Sequence, residues 1–341
     1  MTVVLASSDA RQRYAHDILS VAAAPIGTHF QFRYETAYVS SDLQALIASG
    51  RALGAAALVA FVGQVNTPDA FILPVRHVQI SSAEIIAEAL IVRFVLAGYP
   101  DLTSWPRDAA TLQNHGKSVL NQISARYGKY FPAVGASDGL ICHDNGNSTE
   151  SWSEISSRLS TFSTFASSYL VRVSVVENRK DVKKEVSTTD GQIEVSSGSG
   201  IIVKCWFYTR TQPAGGRIIS VSTDDRILHV SSDSAHELSS RYDEVEFWLH
   251  GRSVAERSRT MLTVALPGDS TRTGDLPTRV TFPVIVGKPL LPRVYRGFAG
   301  ATGAAFVGLP ALLGAESPLL PRVALAVVGA IIIAFLAVFS A

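Results

Sequence analysis

The last nineteen residues, Val323–Ala341, carry no charge and no polar group before Ser340. A helix rises about 1.5 Å per residue and a hydrocarbon core is about 30 Å thick, so roughly 20 apolar residues cross it. In water such a helix would have no polar face to expose, whereas in lipid it satisfies its own backbone. The stretch therefore predicts a membrane helix, and the remaining sequence is read around it. Just upstream, Gly297–Gly314 is a second charge-free run, and Ala315–Arg322 between them holds two prolines and two charges in a turn-forming sequence. The pair predicts a transmembrane helical hairpin over 297–341. Gly and Pro310 in its first member are tolerated where neighbouring helices satisfy the backbone.

Small residues recur at four-residue spacing on both members: Gly300, Ala304 and Gly308 on the first, Ala326, Ala330 and Ala334 on the second. Such stripes let helix backbones approach closely in lipid, within one hairpin or between copies of the chain. Lys288, Arg293 and Arg296 precede the first member, and Arg322 shares the turn with Glu316. The basic excess on the upstream side places that side in the cytoplasm. The N-terminus has no basic n-region and only a short apolar run, so no secretory signal is read there. The predicted location is the inner face of a membrane, bacterial by expectation, with the N-terminal domains cytoplasmic. Cys142 and Cys205 are too few for a disulfide framework and fit a reducing compartment.

The rest of the chain is predicted to be mainly β with some α. In residues 1–105, His29–Val39 alternates, with Phe30, Phe32 and Tyr34 on one face and Gln31, Arg33 and Glu35 on the other. Ser41 or Asp42 is a plausible cap for a helix carrying Leu43, Leu46 and Ile47. Ala55–Gln64, "AFILPVRHVQI" and "ALIVRFVLAGY" read as further strands, the last two separated by "SSAEIIAE". This pattern predicts a small β-barrel-like or α+β domain. Residues 106–166 form a helical connector with a loop: a helix over Pro106–Phe131, faced by Leu112, Val119, Leu120 and Ile123, then a second near Glu150–Phe165. Residues 167–290 contain seven short strand-like stretches, most of them alternating, separated by turn signals, which predicts an antiparallel β-sandwich.

Motifs for chemistry are weak. Asn114–Ser118, "NHGKS", ends like a phosphate-binding loop but has Thr111 where the loop needs glycine. In "CHDNGNS", Cys142, His143 and Asp144 are neighbours in sequence, where convergence on one substrate is geometrically poor, and Asp-Asn-Gly is turn chemistry. His229 and His236 flank Asp233 without compact metal spacing. Ser196–Gly200, "SSGSG", reads as a turn opening a strand, and the mixed run Glu177–Glu185 as a solvated hairpin tip. Aromatic and basic residues meet around Phe30 and Trp206, but a net charge of +1 supplies no field for nucleic acid. Phe30, Phe32 and Phe207 are assigned to cores, and Trp206 and Tyr208 to the outside.

No catalytic residue, metal or cofactor is assigned. The expected partners are the lipid bilayer and either a second copy or another protein, with no nucleic acid. The sequence points to a non-enzymatic membrane effector whose β domains bind a partner or signal and whose hairpin perturbs the membrane. Bacterial defence is a context for that design by analogy alone. The alternatives are an adaptor on a passive anchor and a membrane-tethered enzyme using Cys142, His143 or His115.

Overall fold

The computed structural model describes residues 3–127, 149–162, 165, 168–179, 182–185, 192–209, 217–238, 242–252, 256–267 and 278–287. The first sheet is built from β1 (Val3–Ser8), β2 (His29–Glu35), β3 (Ala56–Gly63), β4 (Phe71–Ile86) and β5 (Ala89–Leu96). Helix α1 (Gln12–Ala23) follows β1, and α2 (Ser41–Ala48) precedes β3. The strand order is β1-β3-β4-β5-β2, with β1 parallel to β3 and the other neighbours antiparallel. The unbroken apolar run of β3 is buried from Ala57 to Gly63, as a strand covered on both faces must be. Phe32 is buried on the core face of β2, and Gln31, Arg33 and Glu35 are exposed on the other.

Several local expectations shift. The N-terminal stretch, to which no element was assigned, forms β1 and α1. The α2 cap is Ser40, whose Oγ accepts from Leu43 N at 3.3 Å, one residue before Ser41. "SSAEIIAE" does not break the sheet. Ser82–Ile86 continues β4 because each residue pairs across to β5, and the irregularity is a register shift between Ile80 and Ser82. The chain then turns through Ala87, in the left-handed region at φ 53°.

Helices α3 (Ala109–Tyr127) and α4 (Thr149–Leu159) follow. Asp108 Oδ1 accepts from Thr111 N at 2.9 Å, so α3 begins after Asp108 and not at Pro106. Its expected apolar face, Leu112, Val119, Leu120 and Ile123, is buried.

The remaining strands are β6 (Ser168–Arg179), β7 (Val182–Glu185), β8 (Ile193–Ser196), β9 (Gly200–Thr209), β10 (Ile218–Ser222), β11 (Leu228–Val230), β12 (Ala235–Glu237), β13 (Tyr242–Gly251), β14 (Ser258–Leu266) and β15 (Thr278–Gly287). They form two five-stranded sheets, ordered β12-β10-β14-β15-β8 and β11-β13-β9-β6-β7. All seven expected stretches are strands, and β7, β8 and β12 are additional. The charge run Glu177–Glu185 contains the β6–β7 hairpin. Alternation sets the burial: Val245, Phe247 and Leu249 of β13 and Leu262, Val264 and Leu266 of β14 are buried. Tyr208 is a correction. It is buried against the Tyr169 ring, with centroids 5.2 Å apart, because the face of β9 that it shares with Trp206 is covered.

The chain is thus mainly β, with several sheets, one of them a half-barrel. By contacts it divides into one unit of Met1–Ser253 with Ser258–Val286 and a second of Val254–Arg257 with Gly287–Ala341. Within the first, α1 packs on both β1 and β6, and Ser20 Oγ donates to Arg279 O of β15 at 3.1 Å. The C-terminal end of α1 is clamped by two donors on Ala22 O, Arg76 Nη1 at 3.1 Å and Tyr99 Oη at 2.7 Å. A buried cation at a helix C-terminus also opposes the negative end of the helix dipole.

Candidate functional site

Lys288, Arg293, Arg296, Gly300, Ala304, Gly308, Ala326, Ala330 and Ala334 lie outside the described residues, as do Cys142 and His143. Among the described residues, no helix is long and apolar enough to cross a membrane.

The weaker chemical candidates resolve individually. His115 lies on α3 with its ring edge-on to Trp105, centroids 4.6 Å apart. Gly116 packs α3 against the backbone of β4: a β-carbon there would sit 2.5 Å from Ile72 O. Lys117 pairs with Asp69 at 3.0 Å. The glycine and lysine that end like a phosphate loop therefore have packing and pairing roles in mid-helix. Cys205 is fully buried, and burial pushes its thiol far above the ordinary range, which suppresses the nucleophilic thiolate. His229 and His236 stand on strands of different sheets. Among the described residues, no group of three His, Cys, Asp or Glu side chains has metal-binding geometry.

His229 has a different carboxylate partner, Asp225, which hydrogen bonds its Nδ1. Arg252 also binds Asp225, through Nη2 to Oδ2 at 3.0 Å and through Nε to the backbone O at 2.9 Å. The His229 hydrogen bond, helped by Arg252, holds the Asp225 carboxyl below the usual carboxylate range. His250 is the cross-strand partner of His229, and Trp248, 42% exposed, lies two residues before it on the same face of β13. An imidazole oriented by a carboxylate is half of an acid–base device. Among the described residues no hydroxyl or thiol is bonded to this one, and the contacts of Asp225 with His229 and Arg252 tie the loop at Asp224–Arg226 to the edge of its sheet.

The most elaborate polar arrangement is buried where α4 meets the segment after β5. Arg158, 2% exposed, donates through Nη1 to Pro106 O and through Nη2 to Leu102 O at 3.0 Å and Trp105 O at 3.1 Å. It also pairs with Glu154 one turn earlier at 2.5 Å. Burial lowers the guanidinium's pKa, and Glu154 opposes that shift. Three carbonyls that turn inward thus share one cation, which ties Leu102–Pro106 to α4. On the same helix, Trp152 lies near Trp206 with centroids 5.4 Å apart, and the Arg172 guanidinium is 5.6 and 5.3 Å from the two rings. Trp152 and Ser156 line a cavity of about 10 Å3 together with Tyr99 and Tyr169. The buried Trp152 Nε1 and Ser156 Oγ have no hydrogen-bond partner. That volume and those two polar groups suit one ordered water.

Neither Arg158 nor Arg172 was singled out from the sequence. Their only signal is a cation within an apolar alternation or one turn after Glu154, a pattern that exposed helices and strands share. The described residues thus offer buried clamps and solvent-facing strands, and no assembled set of nucleophile, base and oxyanion donors. No family model matches the chain, and no curated protein matches it.

Proposed function

We propose that this chain is a membrane-anchored, non-enzymatic effector. Its β domains, read as a barrel-like N-terminal domain and a sandwich on the cytoplasmic side, bind a protein partner or a small signal. Its C-terminal hairpin, 297–341, then perturbs or permeabilises the bilayer. The observation that carries this reading is the charge-free run Val323–Ala341, preceded by a second such run rich in Gly and Ala. Helices with little side-chain bulk can approach, separate and repack with neighbouring copies. The basic residues Lys288, Arg293 and Arg296 fit an inner-leaflet position.

The test is induced expression in a bacterium, with growth and membrane potential followed for the full chain and for a truncation ending at Arg296. Depolarisation by the full chain alone supports the effector. If the full chain sediments with membranes and leaves the potential intact even under conditions that engage the β domains, the hairpin is an anchor and the protein an adaptor. If neither form associates with membranes, both readings are lost.

A further inference from the structure

Among the described residues, the three sheets end in six edge strands, and β2 differs from the others. Strands β11 and β12 have three residues each, β7 and β8 four, and β1 six that are mostly buried. Strand β2 has seven, His29-Phe-Gln-Phe-Arg-Tyr-Glu35, without proline, glycine or lysine. Natural proteins blunt long edges with proline, charged side chains or bulges, because an open edge is a template for another strand; the charges of β2 are Arg33 and Glu35, one of each sign.

The open backbone groups of β2 follow from its pairing with β5. Thr36 N donates to Glu88 O at 2.9 Å, and Leu96 N donates to Thr28 O at 3.0 Å. Bonded pairs recur at every second residue of an antiparallel ladder. Phe30, Phe32 and Tyr34 therefore exchange hydrogen bonds with β5, in register with Phe94, Val92 and Leu90. The N–H and C=O groups of His29, Gln31, Arg33 and Glu35 point to the edge, where no described strand pairs with them.

We infer that this edge pairs with β2 of a second copy, antiparallel about a two-fold axis at Phe32. In that register the open residues face one another: Gln31 meets Arg33 of the second copy, and His29 meets its Glu35. These are the bonded pairs, so each exchanges both backbone hydrogen bonds. Their side chains share the exposed face. Arg33 is placed to donate to Gln31 Oε1, the atom that already accepts from Arg93 Nε at 3.0 Å across the β2–β5 pair. On the other face Phe30 meets Tyr34, and Phe32 meets its own copy in a close non-bonded pair. The strand reads the same way from either end: polar or charged partners on one face, aromatic on the other. That is the self-complementarity a two-fold interface demands. The two first sheets then become one ten-stranded sheet, five strands from each copy. A strand of another protein would need the matching alternation, which β2 itself carries. This inference stands apart from the membrane reading.

The test uses the full chain in mild detergent, with molar mass measured by light scattering or sedimentation over a concentration series. Wild type is expected to form a dimer. Gln31→Arg sets two arginine pairs face to face across the axis and is expected to raise the dimer dissociation constant about tenfold, about 1.4 kcal/mol over the two pairs together. Adding Arg33→Glu to Gln31→Arg restores an opposite-charge pair and is expected to recover most of that loss, which separates pairing from misfolding. A monomeric wild type overturns the inference. So does a dimer indifferent to Gln31→Arg, and that result would place self-association on another surface, the hairpin among them. A Gln31→Arg protein that dissociates and is not rescued overturns the register.

Discussion

Gly116 and Arg158 both carry structural roles that a list of motifs misses. A β-carbon at position 116 would lie 2.5 Å from the Ile72 carbonyl oxygen, so α3 must lift from β4 to admit alanine. Alanine gains up to about 1 kcal/mol of helix propensity, whereas overpacking a fitted contact costs about 1–3 kcal/mol. The contact is to backbone, which cannot swing away. Gly116→Ala is therefore expected to destabilise the fold by about 1–2 kcal/mol, read from the midpoint of urea unfolding. A stability equal to wild type would mean that α3 is not held this tightly. Arg158→Leu leaves the carbonyls of Trp105 and Pro106 without their donor, while Leu102 O keeps Trp105 N at 2.9 Å and Glu154 keeps Arg107 at 3.7 Å. A buried acceptor left unsatisfied costs about 1–3 kcal/mol, so two orphaned carbonyls predict a loss of about 2 kcal/mol or more in the same assay. Arg158→Lys should recover only part of it, because an ammonium lacks the planar fork that reaches several carbonyls at once. The sequence did not reveal the Arg158 clamp: what distinguishes this buried cation is the carbonyls it meets, and those come from a segment more than fifty residues earlier.

At the level of elements, legibility mostly followed strand length, although the three-residue β11 was read within a longer alternating stretch and the six-residue β1 was missed. Strands of five or more residues with alternating burial, such as β10, β13, β14 and β15, were readable because a period of two needs several repeats to register. The additional strands β7, β8 and β12 have three or four residues each. Helix α1 is a different case. Ala15, Ile18, Leu19 and Ala22 make a helical stripe, and all four are buried. Val21 and Ala23 are buried too, since the helix packs on β1 and on β6, and a helix covered from two sides has no clean polar face. Asp17 is a half-buried exception on α1, next to the buried Tyr34 hydroxyl. Burial raises its carboxyl pKa, and Arg13 one turn earlier pulls it partly back. A folded-state pKa above the unfolded value contributes stability that is full below about pH 3.9 and is lost as pH rises through the folded value. Ionised Asp17 therefore costs stability at neutral pH. Asp17→Asn is expected to match wild type near pH 3 and to melt at a higher temperature at pH 7. Thermal melts across that range read the difference, and a lower Tm for Asp17→Asn at pH 7 would show Asp17 to be a net stabilising anion.

Taken as a whole molecule, the chain joins three β-sheets, placed largely by alternating apolar residues, to a C-terminal region whose proposed work depends on the opposite property, the absence of any polar pattern. The proposed membrane residues were legible because lipid rewards a run of about 20 apolar residues whatever the rest of the chain does. They lie outside the described residues, so their function is best separated from anchoring by substitution. An anchor needs only length and apolarity, and an effector also needs close approach of small residues. Gly300→Leu and Ala330→Leu keep the first property and remove the second. Under the effector reading each should leave the full chain sedimenting with membranes and reduce depolarisation at least tenfold, and a hairpin of leucines of equal length should do the same. Sedimentation and membrane potential, measured on one set of cells, read the two properties independently. If the leucine hairpin depolarises as strongly as the native one, close packing is not the active property and the effector reading fails. If the variants no longer sediment, they have lost insertion, and the comparison moves to Gly308→Ala, which adds a single methyl on the same stripe.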